Sequence, residues 1–353
     1  MDWMPPSPFT VRTAYLTEWL DYHLDALGIE MVVIYDNSWN FEVRGGLISV
    51  KVAGTVRGIC SLTTNAPSKM ETWYKNTRTH PVYGRVEVRP SRDIHDSKRQ
   101  KRAYTDCILR YGRDVPESAV NFNKDLVNVT DRALPPGEGA DYFALIDVDE
   151  FLVPKGRYGS LHEVLRDYVE PFDRGGALSV NWLLYGTANR TLYTPVPVLR
   201  RFQYRDEKAS GVIKTIARSS EFYSMKSPHS IVSYGNVHTT SRPGSILHSN
   251  VSKSGASDPA ALSSVLLLHH YRYTSGKEYW QKKCVRKETD GSKGCSPRTG
   301  QVMTADELKE AGLPVHIAPR VGGVRDGSAW EILAGRVPKY RVFDDEAAWG
   351  DYT

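Results

Sequence analysis

The chain is poor in several features that would narrow its chemistry at once. It has four cysteines in 353 residues, Cys60, Cys107, Cys284 and Cys295. None stands in a Cys-x-x-Cys pair, which argues against a zinc ribbon. Cys284 and Cys295 flank a Lys/Gly/Ser loop and are the pair best placed for a disulfide. No apolar run approaches the ~20 residues of a membrane helix, and no signal peptide is present. Apart from residues 98–102 there is no dense basic block, and no nucleic-acid motif occurs. The net charge of +5 is mild and suits a phosphate-bearing ligand. With 40% hydrophobic and 25% charged residues, the composition is that of an ordinary soluble globular protein. The length suffices for one large α/β domain or two smaller ones. Three Asn-x-Ser/Thr sequons, at Asn128, Asn189 and Asn250, lean weakly toward a secretory lumen.

What is present is organised around residues 141–154. Tyr142 to Ile146 has the length and composition of a buried strand. Three carboxylates follow in four residues, Asp147, Asp149 and Glu150, and then a second apolar run closes at Pro154. In an extended segment Asp147 and Asp149 project to one side. Two desolvated carboxylates so placed repel each other, and a hard divalent ion with oxygen ligands, Mn²⁺ or Mg²⁺, relieves that cost. Carboxylates at the carboxyl end of a strand also sit where open α/β sheets bind ligands. Read alone, the segment is equally an acidic turn after a strand.

Along the chain, residues 1–12 carry three prolines and are expected to fray. A helix is predicted over 18–27, capped by Thr17 and ended by Gly28, with Trp19, Leu20, Leu24 and Leu27 as its apolar face. Met31 to Tyr35 reads as a buried strand ending in Asp36-Asn37-Ser38, which by itself is an Asx turn. One or two glycine-broken strands are predicted within 45–60, a loop insertion over 61–80, and a strand from Val82 to Val88. Asp96 caps a predicted helix to Tyr111, ended by Gly112, that buries Ala103, Cys107, Ile108 and Tyr111. Residues 116–139 read as loop. Ser160 and Glu163 form a capping box that opens a helix to about Val169. A strand is predicted from Ala177 to Leu184, and two short strands around a polar turn within 198–219. Ser264 to Leu268 is a further predicted strand, running into His269-His270-Tyr271, and Ser275 to Cys284 a helix. Thr304 caps a short helix to Ala311, and the remainder reads as a wrapping tail.

Several of these segments, in this order, resemble glycosyltransferase family 92 and its bacterial relatives. Residues 17–38 resemble the family's opening helix and Tyr-Asp-Asn strand end. Gln100, Ala103, Tyr104, Asp106, Cys107 and Arg110 match a helix motif. Residues 145–152 look like the family's form of the Asp-x-Asp signature. Trp182 and Gly186 match a Trp-x-x-Phe-Gly segment, and His270, Tyr271, Ser275, Glu278 and Lys282 match the closing block. The resemblance covers residues 16–290. It implies a single GT-A-like domain, a doubly wound and mostly parallel α/β sheet, between a flexible segment (1–15) and a tail (291–353). The family places another strand before the first helix; here Val11 to Tyr15 is a remnant of it, or the chain lacks its true start.

The activity implied by the resemblance is metal-dependent and inverting in the family's manner: a sugar moves from a nucleotide diphosphate sugar, UDP-galactose by resemblance, to a glycan, glycoprotein or glycolipid hydroxyl. Asp36, Asn37, Arg99, Gln100, Asp147 and Lys214 are implied donor contacts, with Lys98 beside them. Trp182 and Gly186 would line the acceptor side, although Trp182 is as readily core. Asp147 and Asp149, with His270 or His238, are the implied metal ligands. Glu150, Asp206 and Glu207 are candidates for the base. The implied setting is the Golgi or secretory lumen in a eukaryote, with any anchor outside this sequence, and otherwise cytoplasmic or membrane-associated. Two other classes fit the residues: a catalytically inactive carbohydrate-binding relative, and a metal-dependent phosphoryl-transfer or hydrolytic enzyme.

Overall fold

The computed structural model describes residues 15–36, 56–63, 81–90, 99–127, 138–171, 175–235, 237–240, 246–248, 261–280, 284, 295, 302, 304–310 and 322–345. Two compact units result. One is Leu20–Trp182 with Ala209–Leu268; the other is Met1–Trp19 with Leu183–Lys208 and His269–Thr353.

The first unit is a mixed α/β structure. Helix α1 (residues 15–26) passes into a π-helical end, Asp21–Ala26, and Gly28 leaves it at φ +71°. Strands β1 (Met31–Asp36), β2 (Val56–Thr63) and β3 (Val86–Pro90) follow, then α2 (Arg99–Tyr111), α3 (Glu117–Asn123), β4 (Ala140–Leu145), β5 (Glu150–Pro154), α4 (Leu161–Tyr168) and β6 (Gly175–Leu184). After β7 (Tyr204–Arg205) come β8 (Ile213–Arg218), β9 (Phe222–Ser227), β10 (Ser230–Ser233), β11 (Val237–Thr240), β12 (Ile246–His248) and β13 (Leu266–His270). The main sheet runs β12-β11-β6-β8-β4-β2-β1-β3, with β13 pairing β5 and β6. β3, β1, β2 and β4 are parallel, but β8 runs antiparallel between β4 and β6. The sheet is therefore mixed, and the mostly parallel expectation describes one half of it.

Period-two patterning explains the core. Met31, Val33 and Tyr35 of β1 share a face with Phe143 and Leu145 of β4 and Ala217 of β8. Ala103, Tyr104, Cys107, Ile108 and Tyr111 of α2 pack onto that face, which includes the stripe expected from the sequence. α2 ends at Gly112, where a Cβ would lie 2.5 Å from the Ile108 carbonyl and 2.9 Å from Ser219 Cβ. Glycine thus leaves room for Val115 and Ser219, and Gly112 bridges to Ala140 at the start of β4. Cys107 is disulfide-bonded.

Four local expectations need correcting. Thr17 lies inside α1, which already includes residue 15, so it is not the cap. The strand expected from Val82 begins at Val86, because Tyr83–Arg85 forms a 3₁₀ turn. Arg85 holds that turn in place by donating to the carbonyls of Leu24 and Ile29. The loop expected over 116–139 contains α3, and the insertion expected from residue 61 starts later, since β2 continues to Thr63. The capping box at Ser160 is present as expected. Residues 1–14, 37–55, 64–80 and Asp96 lie outside the described residues.

The second unit holds β7, the antiparallel partner of β14 (Val324–Arg325), and α5 (Ser328–Arg336). Residues 322–345 thus contribute regular structure where a plain tail was expected. Cys284 and Cys295 form the expected disulfide, and Thr304 with Glu307 caps Ala305–Glu310. Asn189 is exposed, whereas Asn128 and Asn250 lie outside the described residues. Among the described residues no helix is long and apolar enough to cross a membrane.

Candidate active site

Strand β4 stops at Leu145 and β5 starts at Glu150, so Asp147 and Asp149 lie in the connection between the two strands. They form a tight turn. The Glu150 amide donates to the Asp147 carbonyl at 3.1 Å, and the Asp147 amide donates to Glu150 Oε2 at 2.8 Å. The expectation that alternation places Asp147 and Asp149 on one side of a strand is thereby replaced. The turn has the reciprocal logic of a capping box, in which an acid three residues on bonds back to the first amide.

Three side chains from two elements converge on Asp147. Gln100 Nε2 donates to Oδ1 at 2.6 Å, and the Tyr104 hydroxyl donates to Oδ1 at 3.1 Å. Both come from α2, one helical turn apart and hence on one face. From β8, Lys214 Nζ lies 3.0 Å from Oδ2. The same ammonium is 3.6 Å from Glu150 Oε2 and 3.5 Å from the Tyr104 hydroxyl. Lys214 and Glu150 are fully enclosed, whereas the Asp147 side chain retains 31% of its exposure. Asp149 is half-buried.

The electrostatics follow from this burial. Enclosure alone would lower the Lys214 ammonium, but Asp147 first, then Glu150 and Tyr104, raise it well above its ordinary range. Burial pushes the Glu150 carboxyl well above the carboxylate range, and Asp147 and Asp149 add to it, while Lys214 and the Asp147 amide oppose. Burial, with Asp147 next, raises the Tyr104 hydroxyl well above its usual value. The direction for Lys214 is that of a protonated ammonium enclosed beside Asp147.

β1 is tied to α2 on the other side of that helix. The Tyr35 hydroxyl donates to Asp106 Oδ2 at 2.6 Å, and Arg110 Nε donates to Asp106 Oδ1 at 2.6 Å. This anchors the strand end that carries Asp36. The side chains of Asp36 and Arg99, and all of Lys98 and Asn37, lie outside the described residues.

The remaining candidates are placed elsewhere. Trp182 is mostly buried, with its ring edge-on to His229 at 5.3 Å. Gly186, Asp206, Glu207 and His270 belong to the second unit. There the Gly186 amide donates to the Tyr204 carbonyl and the Asp206 amide to the Leu184 carbonyl, while Glu207 is exposed. His270 is buried, and its carbonyl accepts from the Tyr185 amide. The structure does not bring His238 to the acidic turn. His238 pairs with Ala177, Ala177 with Ala217, and Ala217 with Phe143. It is thus three strands from β4, roughly 14 Å sideways, and level with a residue four before Asp147.

Burial, the main cause, lowers the His238 imidazole from 6.5 to about 4. The unfolded chain therefore binds a proton between those values that the folded chain refuses, and stability rises with pH across that window. Lowering the pH from 6.5 to 4 is expected to cost about 3 kcal/mol through this residue. Urea unfolding across that range should show the slope, and His238→Leu should flatten it; an unchanged slope would refute the assignment.

The donor set fits a hard divalent ion only in part. Among the described residues there is no group of three or more His, Cys, Asp or Glu able to enclose a metal. A site of one or two carboxylates suits an ion that draws its remaining ligands from water and substrate phosphates, as Mg²⁺ commonly does.

Sequence reading missed the role of Tyr104. Its spacing of four from Gln100 was the available signal, but only the fold shows that this face meets Asp147. Compared with known protein families, residues 70–299, well over half of the chain, match the model of glycosyltransferase family 92. That span contains the acidic turn and the His270 block; residues 17–38 precede it. No curated protein matches the chain.

Proposed function

The chain belongs to glycosyltransferase family 92, and from that premise we propose that it transfers a sugar from a UDP-sugar, with galactose the donor sugar, to a glycan hydroxyl with inversion, on a GT-A-like nucleotide-binding fold. The observation that carries this reading is the acidic turn after β4, whose Asp147 is fixed by Gln100, Tyr104 and Lys214 while Asp149 stands two residues on. Asp149 would hold Mn²⁺ or Mg²⁺, with Asp147 directed to the donor ribose or the water shell of the ion. When bound, such an ion neutralises charge on the departing diphosphate oxygen.

The chain's own residues supply the rest. The acceptor hydroxyl oxygen bonds to the anomeric carbon as the bond from that carbon to the diphosphate oxygen breaks. UDP leaves with the electron pair, and the hydroxyl proton passes to a carboxylate base. Glu150 is enclosed and occupied in closing the turn, which disfavours it as that base. The family resemblance offers Asp206 or Glu207 for that role, Trp182 and Gly186 for the acceptor side, and His270 for the metal shell.

Calorimetry with UDP, with and without Mn²⁺, tests the proposal on the wild type and Asp149→Ala. UDP binding that needs the metal and is lost in the variant is the expected result. A folded wild type that ignores UDP under both conditions would overturn it. Turnover of phosphate esters without a sugar acceptor would point to hydrolytic chemistry instead.

A further inference from the structure

The acidic turn contains its own cation, and that cation is placed where it decides how a metal can bind. Lys214 is 1% exposed. Its neighbours along β8, Ile213, Thr215, Ile216 and Ala217, are buried as well. Lysine is almost never enclosed unless paired, and the partner here is specific: Asp147 Oδ2 at 3.0 Å, with Glu150 Oε2 at 3.6 Å. Asp147 Oδ1 is meanwhile occupied by Gln100 and Tyr104. Each Asp147 oxygen therefore faces a protein donor, and one of those donors carries a full charge.

We infer that Lys214 is a built-in countercation for Asp147, a positioning residue that keeps the divalent ion off that carboxylate, leaves Asp149 as the turn's carboxylate ligand, and makes metal binding conditional on a bound nucleoside diphosphate. The inference rests on the glycosyltransferase reading of this turn. An ion ligated by Asp147 Oδ2 would stand beside the Lys214 ammonium and be repelled by it. With Asp147 satisfied, the turn has too few oxygens to strip a hydrated ion of its water by itself. Diphosphate oxygens supply the missing ligands, so ion and nucleotide arrive as one liganded unit. Removing the lysine reverses this: Asp147 is left without its resident cation beside Asp149, and a bare divalent ion becomes the group that relieves the pair.

The test uses Mn²⁺ alone, followed by electron paramagnetic resonance, on the full chain without nucleotide. Lys214→Met is expected to bind Mn²⁺ about tenfold or more tightly than the wild type, and adding Asp147→Asn to it should abolish the gain. Lys214→Arg, which keeps the charge, should behave as the wild type. A wild type that binds Mn²⁺ without nucleotide as tightly as Lys214→Met would overturn the inference, as would a gain that survives Asp147→Asn. Should Lys214→Met fail to fold, the double variant Asp147→Asn/Lys214→Met leaves neither charge buried alone. Without nucleotide it should bind Mn²⁺ no more tightly than the wild type; a tighter Mn²⁺ affinity in this variant would overturn the inference. Failure of the functional reading is seen separately, as a wild type that does not bind UDP with Mn²⁺ present.

Discussion

Glu150→Ala is expected to destabilise the first unit by about 2–4 kcal/mol and to lower sugar transfer by about 100-fold, whereas Glu150→Gln should remain near the wild type in both. Three losses combine in the alanine variant. The Asp147 amide loses its acceptor at 2.8 Å, Lys214 loses a neighbour at 3.6 Å, and a fully enclosed side chain leaves a cavity. Of the two bonds that close the turn, the one from the amide of residue 150 to the Asp147 carbonyl is left. Glutamine keeps an oxygen for the Asp147 amide and fills the space. Burial holds the Glu150 carboxyl well above the carboxylate range, so an amide is close to the state it prefers. Urea unfolding and transfer kinetics on both variants read this out. The comparison also separates positioning from catalysis: a general base would be lost equally in alanine and glutamine, so an inactive but stable Glu150→Gln would sink the positioning role.

What could be read in advance was local. The buried strand before the acids, the apolar stripe of α2 and the capping box at Ser160 depend on spacing within a few residues, and spacing is visible in a sequence. What could not be read depends on partners far along the chain. Lys214 appeared as a phosphate contact or a surface charge, yet it is enclosed because Asp147 lies 67 positions away in sequence and 3.0 Å away in space. The acids read as strand because alternation assumes an extended backbone, and the Glu150 side chain folds that backbone into a turn. Within residues 198–219 the two short strands around a polar turn are present as β7 and β8. Val198–Arg201 before them is a single helical turn, because Glu18 caps it by accepting from the amides of Val198 and Leu199. His238 looked like a metal ligand in sequence, and only the strand register places it away from the turn.

The other large effect lies in the second unit, at Arg201. This guanidinium is fully enclosed and forks onto Glu278, with Nη1 to Oε2 at 3.1 Å and Nη2 to Oε1 at 3.4 Å. It also donates to the Tyr15 hydroxyl and lies over the rings of Phe202 at 4.7 Å, Tyr193 at 5.2 Å and Tyr15 at 5.4 Å. Burial lowers it to about 10 against the pull of Glu18 and Tyr193, so it remains charged at neutral pH. Arg201→Ala removes the charge from inside an aromatic box and strands Glu278, at an expected cost of about 3–5 kcal/mol. Glu278 keeps one function, since its Oε2 still accepts from the Ser275 amide at 3.0 Å and caps Gly276–Trp280. Arg201→Lys retains the charge but neither the fork nor the stacking, so it should recover only part of the loss. Urea unfolding of the three proteins decides the matter. If lysine restores full stability, charge alone holds this cluster; if alanine costs nothing, the enclosed pair contributes no net stability, and the cluster is held by the packing of Tyr15, Tyr193 and Phe202.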